Sequence, residues 1–338
     1  MTGSASTLGP FRFRVRTAAV LGITVLAVIV LAVVGMMIGD YGLSPRQVVE
    51  AVLGRGEDRL ASYFVTELRA PRVVAAIVVG AALGVAGSLF QNVTGNPLGS
   101  PDIIGFTTGA ATGALLQIIV LGGDTRAVAV GALVGGLGTA ALVHLLVGQL
   151  TGQRLVLVGI GVGATLAAVN TLLVVRASLV AAQTAAQWLA GSLNAMLWPR
   201  VLLTTGAAVA LVAVATALIR PLHQLALGDD LAYATGVPAR RVRTAAVLVG
   251  VALVSVATAA TGPIAFVALA APQVSRRLAG NPLPGLAGPA LTGAFLVLGS
   301  DILAQRLFAP TELAVGVVTG ALGGVYLIVL LATDWRKR

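Results

Sequence analysis

The sequence predicts an all-α membrane protein of about ten transmembrane helices, on three observations. Charged residues make up 10% of the 338 and apolar ones 57%, whereas a soluble domain needs roughly a quarter charged residues to face water. The apolar residues fall into successive runs close to the ~20 residues that cross a bilayer as a helix. Glycine is abundant, at 42 residues, and small residues let membrane helices approach where no hydrophobic force separates protein from lipid. Length alone would suggest about two soluble domains. The unbroken apolar pattern points instead to a single transmembrane domain over residues 1–338.

The runs place spans near 17–38, 73–90, 103–121, 127–148, 155–175, 201–219, 244–261, 263–275, 286–304 and 312–332. The first follows Arg12, Arg14 and Arg16, a charged start that a secretory leader shares. Its apolar run of about 22 residues exceeds a leader's core, and no small-residue cleavage site follows Met36-Met37-Ile38. It reads as a retained span behind an N-terminal tail, 1–16, with the helical bundle from 17 onward. The eighth run is short and opens at Gly262-Pro263, which fits a half-helix or re-entrant segment. In the loop 39–72, Ser44-Pro45-Arg46-Gln47 combines an N-cap serine, a proline at the first helical position and a glutamine at the third. That is a capping box, so a short surface helix is expected to about Gly54. Residues 182–189 read as a short interfacial helix before the sixth span.

Ten spans put both termini on one side of the membrane. The loops of that side hold thirteen of the 22 basic residues, among them Arg154, Arg220, Arg240, Arg241, Arg243, Arg276, Arg277, Arg336, Lys337 and Arg338. An excess of Lys and Arg marks the cytoplasmic side, so both termini are expected in the cytoplasm. Basic residues grouped at span ends account for the net charge of +10 better than nucleic-acid binding does.

Several classes of function are disfavoured. The chain has no cysteine, which removes disulfides, thiolate chemistry and cysteine-held metals. Its one lysine, Lys337, precedes Arg338, whereas a Walker A loop needs lysine followed by Ser or Thr. No cofactor is expected on this chain, and any ATP-Mg must bind a separate ATPase polypeptide. Within the spans only His144 and Asp301 come near the apolar zone, both close to span ends. Ion-coupled carriers place Asp, Glu or Lys at the midplane, and an enzyme needs paired carboxylates, a nucleophile triad or a ligand cluster at usable spacing. An ion-coupled secondary transporter and an intramembrane enzyme are therefore both poorly supported.

Three polar stretches stand out. Glu67-Leu68-Arg69-Ala70-Pro71-Arg72 opens the second span, and Arg69 and Arg72 lie three apart near one helical face, with Arg306 at the same level. They either anchor the interface by snorkelling or dock an acidic partner. Residues 91–102, containing Asn96, Pro97 and Leu98, join spans two and three. The stretch is long for neighbouring helices and forms either an ordinary turn or part of an exit path. Residues 226–238 place Asp229 and Asp230 at a helix start, where carboxylates favour the dipole. Gly236 follows as the C-terminal cap, with Pro238 beyond. That helix is either solvated or inserted into a partner. Finally, spans two to five and seven to ten are four-helix sets separated by one span. They run in opposite directions, as in the inverted repeats of many transporters.

The stretches ELRAPRVVAAIVVGAALGVAGSLFQ, NPLGSPDIIGF, ALGDDLAYATGV, TGPIAFVALAAP and FAPTELAVGVVTGALGGVYLIVLL resemble permease subunits of FecCD type. These serve ATP-driven importers of iron–siderophores and vitamin B12, and within that family the likeness tends toward ferric enterobactin. The resemblance implies a BtuC-like fold in the bacterial cytoplasmic (inner) membrane. It also implies a second, related permease subunit that forms a heterodimer with this one, two copies of an ABC ATPase, and an extracytoplasmic siderophore-binding protein. By position, Arg69, Arg72 and Arg306 match the arginines that receive the binding protein. Asn96, Pro97 and Leu98 match an inner gate. Leu227, Gly228, Asp229, Tyr233 and Gly236 fall in the helix that couples to the ATPase. The expected cargo is a ferric siderophore of catecholate type, with haem or cobalamin as alternatives. Where the family commonly has histidine after the proline of its TGPIAFVALAAP region, this chain has Gln273.

Overall fold

A computed structural model describes residues 9–335, apart from 40, 57, 149–151 and 281–284. Arg336, Lys337, Arg338 and residues 1–8 of the expected tail lie outside the described residues, as do the side chains of Arg12 and Arg14.

The described residues form helices and no strand. Helix α1 (Gly9–Met37) is followed by the short α2 (Pro45–Val52) and α3 (Arg59–Tyr63), then by π-helical turns (Phe64–Arg69) that run straight into α4 (Ala70–Thr94). Next come α5 (Phe106–Leu115), continued by π-helical turns to Leu121, then α6 (Thr125–Val147), α7 (Gly152–Arg176) and the short α8 (Leu179–Leu189). The chain continues through α9 (Trp198–Leu225), the short α10 (Asp229–Ala234), α11 (Ala239–Thr261), α12 (Val267–Ala279), α13 (Ala287–Arg306) and α14 (Val315–Trp335). Seven of these segments are long and apolar enough to cross a bilayer. The other three expected spans correspond to shorter elements, Phe106–Leu121, Val267–Ala279 and the helix from Val315.

Boundaries differ from expectation for local reasons. The charged start does not delay α1, which begins at Gly9, because arginine is a good helix former. Gln91, Asn92 and Thr94 belong to α4, whose end is set by Gly95 in the left-handed region at φ 60°. The connection to α5 is correspondingly shorter. The capping box at Ser44 and Gln47 forms with both reciprocal hydrogen bonds. Helix α8 begins three residues earlier than expected, where Ser178 accepts from the Ala181 amide. The eighth span is a 13-residue helix reached through the non-helical residues 262–266, which is the half-helix geometry.

The packing map shows the two repeats. Exchanging α4 with α11, α5 with α12, α6 with α13 and α7 with α14 turns the packed pair α4–α13 into α11–α6. It also turns α5–α6 into α12–α13, α5–α11 into α12–α4 and α5–α7 into α12–α14, and every one of these pairs is in contact. The pair α4–α11 maps onto itself, and α9 packs on both of its members. Five crossings separate corresponding helices, so the repeats run in opposite directions. Helices α4 and α11 are the most enclosed, while α1, α7 and α9 are mostly exposed and present apolar faces suited to lipid or to another subunit.

Close backbone approach explains part of the glycine content. A Cβ on Gly80 of α4 would lie 2.3 Å from the Gly293 carbonyl of α13, and one on Gly113 would lie 1.9 Å from the Gly131 carbonyl. With hydrophobic burial unavailable as a force between helices in lipid, such backbone contact is the packing that holds the bundle. Phe90 and Phe106, both fully buried, meet with ring centroids 5.6 Å apart and fix the start of α5 against the end of α4.

Candidate functional site

The bundle carries polar chemistry at its two ends. One, the arginine rim, holds the start of α4 and the ends of α1 and α13. The other holds the end of α4, the residue 95–105 connection and α10.

At the rim the three predicted arginines have different surroundings. Arg69 is buried, and its Nη1 donates to the carbonyls of Met36 (2.9 Å) and Met37 (3.2 Å) while Nη2 donates to that of Tyr41 (2.6 Å). The carbonyls of Met36 and Met37 end α1, so the guanidinium satisfies acceptors that a helix terminus leaves open, and through Tyr41 it also holds the loop that follows. The Phe64 ring, stacked on Tyr41 at 5.4 Å, lies 5.8 Å from the same guanidinium. Arg72 grips Asp301 of α13 side-on, with Nε to Oδ2 at 2.9 Å and Nη2 to Oδ1 at 3.0 Å. Its Nη1 reaches Glu312 at 3.2 Å. Asp301 is 3% exposed at its side chain and also accepts from Gln305 at 2.9 Å. Arg306, in the last turn of α13, is exposed, with no ion pair among the described residues. The sequence marked Asp301 only as a charge near a span end. Its pairing with a residue 229 positions away left no trace in local pattern.

At the opposite end Asn96, Pro97 and Leu98 are exposed on the loop after α4. The Asn96 side chain accepts from the Leu98 amide at 2.9 Å, which shapes the turn. Gln273 of α12, 5% exposed, donates from Nε2 to the Pro97 carbonyl at 2.7 Å and accepts from the Tyr326 hydroxyl of α14 at 3.3 Å. Gln91 donates to the Leu269 carbonyl at 3.0 Å and accepts from Arg276. The loop is therefore tied to α12 and α14 through a neutral amide. Sequence reasoning singled out Gln273 but not its partners, because Tyr326 reaches it only once α12 and α14 pack.

At this end α10 packs on α9 and α11. Gly236 at φ 78° allows a Schellman ending, with the Val237 amide on the Ala232 carbonyl at 2.9 Å and the Gly236 amide on that of Tyr233 at 3.0 Å. Arg243 of α11 holds Asp229 through both carboxylate oxygens. That hydrogen bond and charge keep the Asp229 carboxyl below its ordinary pKa. Gly228 precedes the helix at φ 117°. Leu227, Leu231 and Tyr233 stand exposed by 67%, 52% and 84%, an apolar ridge outside the membrane-spanning segments. No cluster of three metal-ligating side chains occurs among the described residues.

Residues 14–333 match the model of the FecCD transport family. The chain is 45% identical over 314 residues to the ferric enterobactin transport system permease protein FepG of Escherichia coli strain K12, covering 92% of this chain and 95% of that one. It is 36% identical to the achromobactin transport system permease protein CbrC of Dickeya dadantii, over 91% and 90%. It is 30% identical to the hemin transport system permease protein HmuU of Yersinia pestis, over 96% and 98%. A solved structure described as an inward-facing conformation of a metal-chelate type ABC transporter superimposes with a TM-score of 0.82 at 28% identity. That match covers 94% of this chain and 99% of that one.

Proposed function

This chain belongs to the FecCD transport family, and from that premise we propose that it is the permease subunit of an ATP-driven importer carrying a ferric catecholate siderophore. The observation that carries the coupling to ATP is α10, a capped and ion-paired helix where Leu231 and Tyr233, with Leu227 just before it, stand exposed among the described residues. Rigid apolar ridges of this kind are anchors for a partner's cleft. The partner is a separate ATPase, present in two copies and binding ATP-Mg.

In this reading the rim faces outward, both termini lie in the cytoplasm, and a related second permease completes the path. Arg306, exposed and unpaired among the described residues, makes first contact with carboxylates of an extracytoplasmic binding protein. Arg72 joins it by exchanging the exposed carboxylate of Glu312 for one from that protein, while Arg69 holds the rim in shape. Asn96, Pro97 and Leu98 close the inner end. Leu227, Gly228, Asp229, Tyr233 and Gly236 transmit ATPase closure. ATP binding and hydrolysis must then favour different conformations by a few kcal/mol to shift populations usefully. The cargo follows the enterobactin permease relative, and a haem cargo is the second reading, after the hemin permease relative.

Vesicles containing the permease pair and its ATPase test this. Uptake of an iron tris-catecholate should require ATP and binding protein, and should be unaffected by collapsing the proton gradient. Uptake that persists without ATP under a proton gradient would make the chain a secondary carrier. Haem competing more strongly than ferric catecholate would reassign the cargo.

A further inference from the structure

A second cationic site lies at the same end of the bundle, away from Arg69, Arg72 and Arg306. Arg200, third residue of α9, is half-buried, yet its guanidinium has no hydrogen-bond or ion-pair partner among the described residues. Arg69 and the half-buried Arg72, Arg243 and Arg276 all have side-chain or carbonyl partners. A charge taken from water without a partner costs free energy that a fold does not retain without compensation.

Arg200 lines a cavity of about 410 Å³ between the first turns of α6 and α8 and the end of the π-helical turns after α5. Thr125, Ser178, Thr184 and Trp188 share its wall. Two helix starts therefore point their positive ends at the same space as the guanidinium. Asp124, which precedes the cavity residue Thr125, accepts from the Ala127 amide as the cap of α6 and does not pair with Arg200. The apolar surroundings decide what kind of anion fits. Val180, in the cavity wall, is 73% exposed, and Leu203, one turn deeper on the face of α9 that carries Arg200, is 76% exposed. A cation and a tryptophan above an exposed aliphatic face are how membrane proteins meet the headgroup and acyl regions together.

We propose that this cavity binds the phosphate of an acidic membrane lipid, with Arg200 and the starts of α6 and α8 on the headgroup and an acyl chain along Leu203. The site gives the chain a lipid requirement separate from cargo, gate and ATPase.

The test uses the purified full-length chain in mild detergent with phosphatidylglycerol or phosphatidylcholine of matched acyl chains. Retained lipid is counted by native mass spectrometry, and thermal midpoints are measured with each. Wild type should retain phosphatidylglycerol selectively and gain thermal stability from it. Arg200→Gln should lower that retention about fivefold, the scale of one interfacial cation on an acidic lipid, without altering phosphatidylcholine retention. Arg200→Lys should keep most of it. Ala181→Phe fills the cavity and leaves the arginine in place, so it should displace the lipid too, and it serves if Arg200→Gln fails to fold. Wild-type selectivity in Ala181→Phe, or in Arg200→Gln, would overturn the site. Equal thermal protection by millimolar inorganic phosphate would overturn the lipid assignment in favour of a soluble anion.

Discussion

Arg72 and Asp301 join the two repeats at the rim, and their separate removal should be far more damaging than their joint removal. The pair is enclosed, at 17% and 3% side-chain exposure, and doubly hydrogen-bonded. Replacing Arg72 by Met leaves the Asp301 carboxylate buried with only Gln305 as a side-chain donor. Losing one partner of such a pair costs about 3–5 kcal/mol, most of it the desolvation of the charge left behind. Asp301→Leu leaves Arg72 with Glu312, which is 42% exposed and worth at most about 1 kcal/mol as a surface pair, so a loss of about 2–4 kcal/mol is expected. In the double variant neither charge is stranded, and its loss should be smaller than that of Arg72→Met alone. Equilibrium unfolding in mixed micelles, followed by tryptophan fluorescence and circular dichroism, reads all three. Single variants within about 0.5 kcal/mol of wild type, or a double variant as damaged as the sum of the singles, would refute the reasoning. Binding-protein affinity in the same series must be corrected for this destabilisation before any change is ascribed to docking.

At the opposite end, Gly236→Val should put a β-branched residue at a left-handed position and cost about 1–2 kcal/mol. Because it loosens the end of α10, chelate delivered per ATP hydrolysed should fall in vesicles, and an unchanged ratio would contradict the coupling role. Gln273→Leu removes the donor to the Pro97 carbonyl and the acceptor for Tyr326. The loss of about 1 kcal/mol should speed amide exchange at Leu98 and Gly99 roughly fivefold, and unchanged exchange would mean the loop is held elsewhere. Asp229 should make α10 acid-sensitive. Its pKa is depressed by Arg243, so its stabilisation is complete above the ordinary aspartate value of about 3.9 and is lost as pH falls through the lower, folded-state value. Protection of α10 should drop in that acid range and should be pH-independent there in Asp229→Asn.

The all-α membrane class, the run of spans, the capping box at Ser44 and Gln47, the α10 stop at Gly236 and the half-helix after Gly262-Pro263 were legible in the sequence. Each is decided by neighbours within about one helical turn or by the cost of exposing backbone to lipid, and both are local properties of the chain. What packing alone decided is of another kind. Arg69 and Arg72 look equivalent in sequence, yet one satisfies the end of α1 and the other an aspartate of α13. Gln273 gains meaning only from Pro97 and Tyr326, and Arg200 is distinguished only by lacking what the other enclosed arginines have. Such assignments depend on which side chains from distant segments are brought within about 3 Å. In a bundle held by backbone approach at Gly80, Gly113 and Gly293, that is settled by how the two repeats interlock, for which no short stretch of sequence carries a signal.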